Sequence, residues 1–176
     1  MKTIYIDMDG VVADFNGFIG NVLGRPVKWT DRSITPEEWA KVGAIEDVYF
    51  QLPLLKDATT LVGYCSQFKD EYNVEFLTAL PSKKSVPTAS SDKEKWINKY
   101  FPGYKVNFGP FSTDKWKWCK PGDMLIDDKM SNIDDWFEKG KGISIYYKEN
   151  IHATLHHIDK AIGKTEPMRF LDETIT

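Results

Sequence analysis

The sequence predicts a three-layer, Rossmann-like α/β protein in which a parallel β-sheet carries helices on both faces. Two observations predict this class. Short apolar runs of strand type alternate with segments of helical pattern, and strands separated by helices form parallel sheets. One segment between the first two runs is too long for a single crossover helix, which predicts a small inserted unit.

Five apolar runs are interpreted as strands. The first, KTIYI, ends at an acidic cluster, the second, VEFL, ends at Thr78, and the fourth, MLI, ends at Asp127. The third is a weaker run. The fifth, ISIYY, is β-branched and aromatic and follows Gly142. They occupy residues 2–6, 74–77, 105–108, 124–126 and 143–147.

Four segments have the pattern of helices. Ser91 followed by Glu94 has the spacing of a capping box, which supports the second helix. The predicted helices cover residues 57–68, 92–100, 132–139 and 152–162.

The segment 16–55 is interpreted as a small helical cap inserted after the first strand. In TPEE, beginning at Thr35, an N-cap residue, a proline at the first helical position and a capping-box acid follow one another, so a helix begins there. Residues 1–15 and 56–163 are then the main α/β domain, and residues 164–176 a peripheral tail.

Composition excludes several function classes. Lys and Arg number 23 against 26 Asp and Glu, a net charge of −3, which argues against a stable complex with nucleic acid. No apolar run approaches the roughly 20 residues that cross a bilayer. The two cysteines, Cys65 and Cys119, are too few for a disulfide framework. These observations predict a cytoplasmic protein that acts away from membranes.

Polar side chains stand where three of the predicted strands end. Asp7 and Asp9 follow the first strand, Thr78 the second, and Asp127 and Asp128 come at the end of the fourth. The carboxyl ends of parallel strands face one crevice. Two carboxylates about 4 Å apart repel by roughly 4 kcal/mol at an effective dielectric of 20, and a divalent cation removes that cost. Oxygen ligands without His or Cys favour Mg²⁺.

Mg²⁺ beside a free carboxylate suits phosphoryl transfer. One carboxylate attacks phosphorus and forms an aspartyl-phosphate, while a second protonates the leaving alcohol and then activates water. A hydroxyl and a lysine hold the remaining phosphoryl oxygens. Thr78 and Lys115 are the candidates for these two roles.

The same residues carry a family resemblance. DMDGVVADF, residues 7–15, resembles motif I of the haloacid dehalogenase (HAD) superfamily, and within it the form found in 5′(3′)-deoxyribonucleotidases. Leu77 and Thr78 match motif II, Lys115 the lysine of motif III, and LIDD at 125–128 motif IV. The resemblance runs from residue 5 to about 147 and implies a strand order near 5-4-1-2-3.

The resemblance also implies roles for these residues. Asp7 is expected to be the nucleophile and Asp9 the general acid and base. Mg²⁺ is expected between Asp7, the carbonyl of Asp9 and Asp127, with Asp128 supporting them.

Phosphate contacts are expected from Thr78, Ala79, Lys115 and Lys84. Ala79 replaces the Ser of the Thr-Ser-Pro pattern of the deoxyribonucleotidases and lacks its hydroxyl. Lys117 and Lys120 lie close to Lys115 in sequence, but TDK resembles the family's Arg-Asp-Lys, which favours Lys115.

Aromatic residues of the cap are candidates for contacts with a nucleobase, because aromatic faces stack on bases. Aromatic residues are equally suited to form the hydrophobic core of a small cap. The family pattern favours Phe15, Phe18 and Phe50 among a set that also contains Trp29, Trp39 and Tyr49.

The sequence therefore predicts a Mg²⁺-dependent phosphomonoester hydrolase acting on nucleoside monophosphates, with a homodimer left open. Four alternatives stand beside it: a phosphoacceptor switch resembling receiver domains, a non-catalytic binding protein, a phosphatase of nucleic-acid ends, and a phosphatase of other small esters. Receiver domains place their acid pair and phosphorylated Asp differently along the chain and leave the inserted cap unexplained.

Overall fold

A computed structural model describes residues 1–27 and 34–171. Its centre is a six-stranded sheet, parallel throughout, in the order β3-β2-β1-β4-β5-β6. The strands are β1 (Lys2–Ile6), β2 (Tyr72–Thr78), β3 (Lys105–Phe108), β4 (Met124–Asp127), β5 (Ile143–Tyr146) and β6 (Met168–Phe170).

The first five strands confirm the predicted order. A sixth strand lies at the edge of the sheet within residues 164–176, whose assignment as a peripheral tail stays a prediction. β6 pairs with β5 along the edge of the sheet. Phe170 stacks on His157 with ring centroids 5.1 Å apart, and Arg169 forms an ion pair of 2.6 Å with Asp134. A strand of three residues gives too short an alternation to be recognised from sequence. Residues 172–176 lie outside the described residues.

The described residues contain six α-helices: α1 (Phe15–Leu23), α2 (Pro36–Gly43), α3 (Ala58–Cys65), α4 (Ala89–Tyr100), α5 (Met130–Glu138) and α6 (Ile151–Ala161). Short 3₁₀ helices cover Ser66–Phe68 and Ser112–Trp118. α4 begins three residues before the predicted helix, so the capping box at Ser91 is wrong: Ser91 lies inside the helix and donates its hydroxyl to the carbonyl of Thr88.

The layers follow from the alternation of side chains along the strands. Ile4 and Ile6 belong to the larger core cluster, whereas Tyr5 faces the other side of the sheet and meets Trp136 of α5 edge-on. β1 lies between β2 and β4 and is buried on both faces, which explains its continuous apolar run.

The cap segment leaves and rejoins the main domain at one place. The Asp14 amide donates to the carbonyl of Pro53 at 2.8 Å, and the Leu55 amide donates to the carbonyl of Val12 at 2.9 Å. The capping box at Thr35 is confirmed, with reciprocal hydrogen bonds between Thr35 and Glu38. The division into cap and main domain stays a prediction, and residues 28–33, which include Trp29, lie outside the described residues.

Within the described part of the chain, no helix has both the length and the apolar character needed to cross a bilayer.

Candidate active site

The functional side chains predicted from sequence meet at the carboxyl ends of the three central strands. Asp7 follows β1, Thr78 ends β2, and Asp127 ends β4. Because β1 pairs with both β2 and β4, these strand ends are neighbours. The residues Asp7, Thr78 and Asp127 are all at most 6% exposed. The sheet itself therefore assembles the constellation.

The turn after β1 depends on a glycine. Gly10 has a φ of +81°, and a Cβ placed there would lie 2.0 Å from Oδ2 of Asp128. A side chain at this position would therefore be strained in its backbone and would collide with a carboxylate. The amides of Val12 and Ala13 close the turn by donating to the carbonyl of Met8. This turn brings motif I against motif IV.

Three carboxylates form a compact cluster. Asp7, Asp127 and Asp128 each offer an oxygen atom within 4.8 Å of the others. Burial, followed by the charges of Asp127 and Asp9, raises the pKa of Asp7 to about 7 even though Lys115 opposes the shift. Burial and the charges of Asp127 and Asp7 also raise the pKa of Asp128. All three ligands are hard oxygens, so the donor set fits a hard divalent cation.

Lys115 lies between two of these carboxylates. Its Nζ is 2.8 Å from Oδ1 of Asp7 and 2.7 Å from Oδ2 of Asp127, and the residue is 1% exposed. Burial alone would lower the pKa of Lys115, but the charges of Asp127 and Asp7 raise it. The ammonium therefore stays protonated.

The other lysines near motif III are placed elsewhere. Lys117 pairs with Asp114 at 2.7 Å on the surface. Lys120 lines a groove with Met1 and Lys2, residues at the start of β1 and so at the opposite end of the strands. The geometry therefore favours Lys115 as the lysine of motif III.

A second buried lysine, Lys93 of α4, was missed by the sequence analysis. Its Nζ lies 2.6 Å from Oδ2 of Asp9, and it donates at 2.8 Å both to Oγ1 of Thr78 and to the carbonyl of Ala79. The ammonium also lies 4.6 Å from the ring centroid of Tyr49. Lys93 thus joins motif I to motif II.

A sequence signal for Lys93 does exist. The buried face of α4 is formed by residues with helical spacing: Ala89, Asp92, Lys93, Trp96 and Ile97. Charged residues on the apolar stripe of a helix are unusual and need a partner. Oδ2 of Asp92 accepts from the hydroxyl of Thr88 at 2.8 Å, and Lys93 donates to Asp9.

Asp9 is held by one oxygen atom. Oδ2 accepts from Lys93, whereas the buried Oδ1 has no hydrogen-bond partner among the described residues. The side chain lines the cavity above the carboxylate cluster. One carboxylate oxygen of Asp9 is therefore anchored by Lys93, and the other has no partner in the described part of the chain.

The cavity above these groups measures about 160 Å³. Its acidic floor contains Asp7, Asp9 and Asp128 beside Lys115. Apolar walls come from the cap and from the loop after β2: Trp39, Tyr49, Leu80 and Pro81. The remaining wall is polar and consists of Ser112, Lys129 and Asn132.

The aromatic wall differs from the predicted one. Phe15 is 1% exposed in the core, where its ring stacks against Tyr49 at 5.8 Å. Phe18 packs half-buried against the core, and Phe50 lies 5.1 Å from Nζ of Lys99. Among the described aromatic residues, Trp39 and Tyr49 line the cavity instead. The family pattern marked the right segment, but only packing decides which rings turn inward.

The structure places some of the predicted phosphate-binding residues at the cavity and one of them away from it. Ala79 lines the cavity, and the buried Thr78 lies directly beneath it, joined to Asp9 through Lys93. Lys84 is exposed and is absent from the described cavity lining, so the geometry does not bring it to the site. Lys84 lies in a turn that is closed by the Ser85 amide, which donates to the carbonyl of Ser82 at 2.8 Å.

Comparison with known families identifies the chain. The family described as "5′ nucleotidase, deoxy (Pyrimidine), cytosolic type C protein" matches residues 1–162. The chain belongs to this family. The nucleotidase family lies within the HAD-like phosphatases, so the chain is a phosphomonoester hydrolase, as the strand-end acids and the four motifs predicted.

Other comparisons add little to this nucleotidase assignment. A search of curated proteins found no match. One matching solved structure is D,D-heptose 1,7-bisphosphate phosphatase from Burkholderia thailandensis, with 12% sequence identity and a TM-score of 0.46 over 98% of this chain and 93% of that chain.

Proposed function

We propose that this nucleotidase is Mg²⁺-dependent and hydrolyses nucleoside and deoxynucleoside monophosphates through an aspartyl-phosphate on Asp7. One observation carries the proposal. A buried carboxylate at the end of β1 lies beside a buried ammonium, with Lys115 Nζ 2.8 Å from Asp7 Oδ1, in a cavity that also contains the second acid, Asp9. A nucleophile, a cation for the phosphoryl oxygens and a proton donor therefore stand at one point.

The metal site that we propose consists of Asp7, the carbonyl oxygen of Asp9 and Asp127, with Asp128 close behind. The fit rests on the compact carboxylate cluster, in which burial and then the charges of Asp127 and Asp9 raise the pKa of Asp7 despite the opposing charge of Lys115. When bound, Mg²⁺ would neutralise charge on the transferring phosphoryl group and on these carboxylates.

The first half-reaction transfers the phosphoryl group to the protein. A carboxylate oxygen of Asp7 forms a bond to phosphorus, and the bond between phosphorus and the ester oxygen breaks. Asp9 gives its proton to that oxygen, so the nucleoside leaves as a neutral alcohol. Lys115 and Thr78 stabilise the charge on the phosphoryl oxygens, and Ala79, which lacks a hydroxyl, can contribute only its backbone.

The second half-reaction regenerates the enzyme. Asp9, now a carboxylate, takes a proton from water while the water oxygen bonds to phosphorus. The bond between phosphorus and Asp7 breaks, and inorganic phosphate leaves. Asp7 is again a free carboxylate, and Asp9 again carries a proton in place of the one that it gave to the nucleoside. Lys93 supports both halves, because its contact with Oδ2 of Asp9 fixes the carboxyl group of a residue that lines the cavity.

The apolar walls of the cavity favour a substrate whose alcohol part carries a nucleobase. Trp39 and Tyr49 lie on one side of the cavity and Leu80 and Pro81 belong to the motif II loop. Aromatic stacking contributes about 1–3 kcal/mol per base. Phe15 contributes indirectly by packing behind both rings, 5.8 Å from Tyr49 and 6.4 Å from Trp39. Roles for Phe18, Phe50 and Lys84 would require a different arrangement of the cap and the motif II loop.

The description of the matching family as cytosolic supports a cytoplasmic location for this protein. A small-molecule substrate rather than nucleic acid is in keeping with the net charge of −3. The homodimer stays a prediction.

The test is a panel of 5′- and 3′-monophosphates, ribose and deoxyribose forms, assayed with Mg²⁺ and with EDTA. We expect turnover that requires Mg²⁺ and that Asp7→Asn abolishes. Acid quench during turnover should trap phosphate on Asp7, visible as an added phosphoryl mass. Retained hydrolysis in Asp7→Asn would exclude the covalent mechanism, and exclusive hydrolysis of non-nucleotide esters would exclude the substrate class.

A further inference from the structure

A lysine of the cavity lining, Lys129, has an environment that differs from those of Lys115 and Lys93. Lys115 and Lys93 are buried and form ion pairs with Asp7, Asp127 and Asp9. Lys129, immediately after the motif IV acids, lines the opposite, polar wall. Among the described residues it forms no ion pair, and its ammonium donates only to Oγ of Ser112, at 3.2 Å.

A directed chain of hydrogen bonds holds this ammonium in place. Ser112 donates its hydroxyl proton to Oδ1 of Asn132 at 2.7 Å, and Asn132 donates through Nδ2 to Oδ2 of Asp127 at 2.9 Å. Since the proton of Ser112 is committed to Asn132, Oγ accepts from Lys129. The Lys129 backbone amide is itself fixed on Oδ1 of Asp127 at 2.8 Å.

This arrangement leaves two N–H groups of Lys129 without an acceptor in the described part of the chain. A lysine ammonium has three donors and Ser112 takes one. The group lines a cavity and is only half-exposed, so a charge-assisted hydrogen bond to a ligand anion there would be stronger than one at the open surface. In the proposed function, Lys115 and Thr78 already bind the oxygens of the phosphoryl group that is transferred to Asp7.

We propose that Lys129, held by Ser112 and Asn132, is a second anion subsite that binds an additional phosphoryl group carried by the alcohol part of the substrate. The subsite would make the enzyme prefer bisphosphorylated esters to the corresponding monophosphates. The inference rests on the proposed function in taking Asp7 as the centre that receives the first phosphoryl group. Both nucleoside 3′,5′-bisphosphates and sugar bisphosphates present the required chemistry.

The kinetic test compares kcat/KM for thymidine 3′,5′-bisphosphate with thymidine 5′-monophosphate, and for fructose 1,6-bisphosphate with fructose 6-phosphate. We expect Lys129→Met to lower kcat/KM for a bisphosphate at least about tenfold more than for its monophosphate, the range of a charged hydrogen bond. Lys129→Arg should retain most of the wild-type ratio. Lys139→Met, which removes a surface lysine at the far end of α5, should leave it unchanged.

The two substrate pairs identify the source of the second phosphate, because the subsite should act on whichever alcohol part the cavity accepts. Equal losses on bisphosphate and monophosphate in both pairs would overturn the proposal, since Lys129 would then act on the transferring group. No loss on any substrate would overturn it as well.

A binding measurement separates this proposal from the proposed function. In EDTA, where we expect no turnover, calorimetry should show thymidine 3′,5′-bisphosphate binding at least about tenfold more tightly than the monophosphate. Lys129→Met should remove that preference. A preference seen without any phosphatase activity in Mg²⁺ would support the subsite while refuting the proposed reaction. Equal affinities in the wild type would refute the subsite.

Discussion

Nζ of Lys93 lies 2.6 Å from Oδ2 of Asp9, although the two residues are 84 positions apart in the chain. The lysine is fully buried and the aspartate is 9% exposed. The buried ammonium of Lys93 needs such a partner, because an unpaired buried charge is costly. The contact also ties α4 to the turn after β1, and so joins the stability of the fold to the orientation of the proposed general acid.

Lys93→Met should lower kcat for a nucleoside monophosphate by about 100-fold, because Asp9 loses its anchor and general acid–base catalysis contributes about 10²–10⁴. The same change should destabilise the fold by about 3–5 kcal/mol, since it leaves a buried carboxylate unpaired. Urea unfolding and steady-state kinetics measure the two effects.

The double variant Lys93→Met with Asp9→Asn is the control. It should recover much of the lost stability while remaining inactive, because the amide needs no counter-charge. If the double variant were as unstable as the two single changes added together, Lys93 and Asp9 would not be coupled.

The pKa of Asp7 makes a prediction about pH and stability in EDTA. The pKa is raised from 3.8 to about 7, first by burial and then by the neighbouring Asp127 and Asp9 charges. The folded protein therefore binds this proton more tightly than the unfolded chain. The contribution of Asp7 to the free energy of unfolding is present below about pH 4 and is lost as the pH rises through about 7.

Asp7→Asn cannot titrate at this position. The stability of the variant relative to wild type should therefore increase between pH 4 and pH 7, by on the order of a few kcal/mol. Urea titrations at several pH values in EDTA measure the difference. A difference that stayed constant over this range would show that Asp7 has an ordinary pKa in the folded protein.

Mg²⁺ should stabilise the folded protein because the proposed ligands lie together only there. At 100 times its dissociation constant a ligand specific to the folded state contributes about 2.7 kcal/mol. We expect Mg²⁺ to raise the Tm of the wild type, EDTA to reverse the effect, and Asp127→Asn to lose most of it.

Asp135→Asn is the matched control for Asp127→Asn. Asp135 lies on the surface of α5, paired with Lys139 at 2.8 Å, away from the carboxylate cluster. Its variant should respond to Mg²⁺ as the wild type does. An unchanged response in Asp127→Asn would remove Asp127 from the metal site.

Trp39 is predicted to contribute to recognition of the base. Trp39→Leu should lower kcat/KM for a nucleotide by roughly 10-fold or more, in the range of a lost base stack, with a smaller effect on p-nitrophenyl phosphate, which has no nucleobase. Phe50→Leu, a substitution outside the described cavity lining, should affect both substrates less. Equal losses by Trp39→Leu on both substrates would indicate that the ring only supports the fold.

Much of the site could be predicted from sequence because it is built at the ends of strands. Asp7, Thr78 and Asp127 each follow a recognisable apolar run, and a parallel sheet brings such ends to one edge whatever its details. The preference for Lys115 came from the TDK pattern, and its contacts with Asp7 and Asp127 agree with it. The chemistry of the carboxylates, and hence the expectation of a divalent cation, needed no coordinates.

The sequence by itself determined the first five strands and the acids at their ends, because apolar periodicity and short motifs are local properties. The order of those strands in the sheet came from the family resemblance. Only the tertiary structure decided that Lys93 neutralises Asp9, that Trp39 and Tyr49 rather than Phe18 and Phe50 line the cavity, and that β6 extends the sheet. Each of these depends on which surfaces of distant segments meet. That choice is made by packing and burial over the whole chain, which no short stretch of sequence contains.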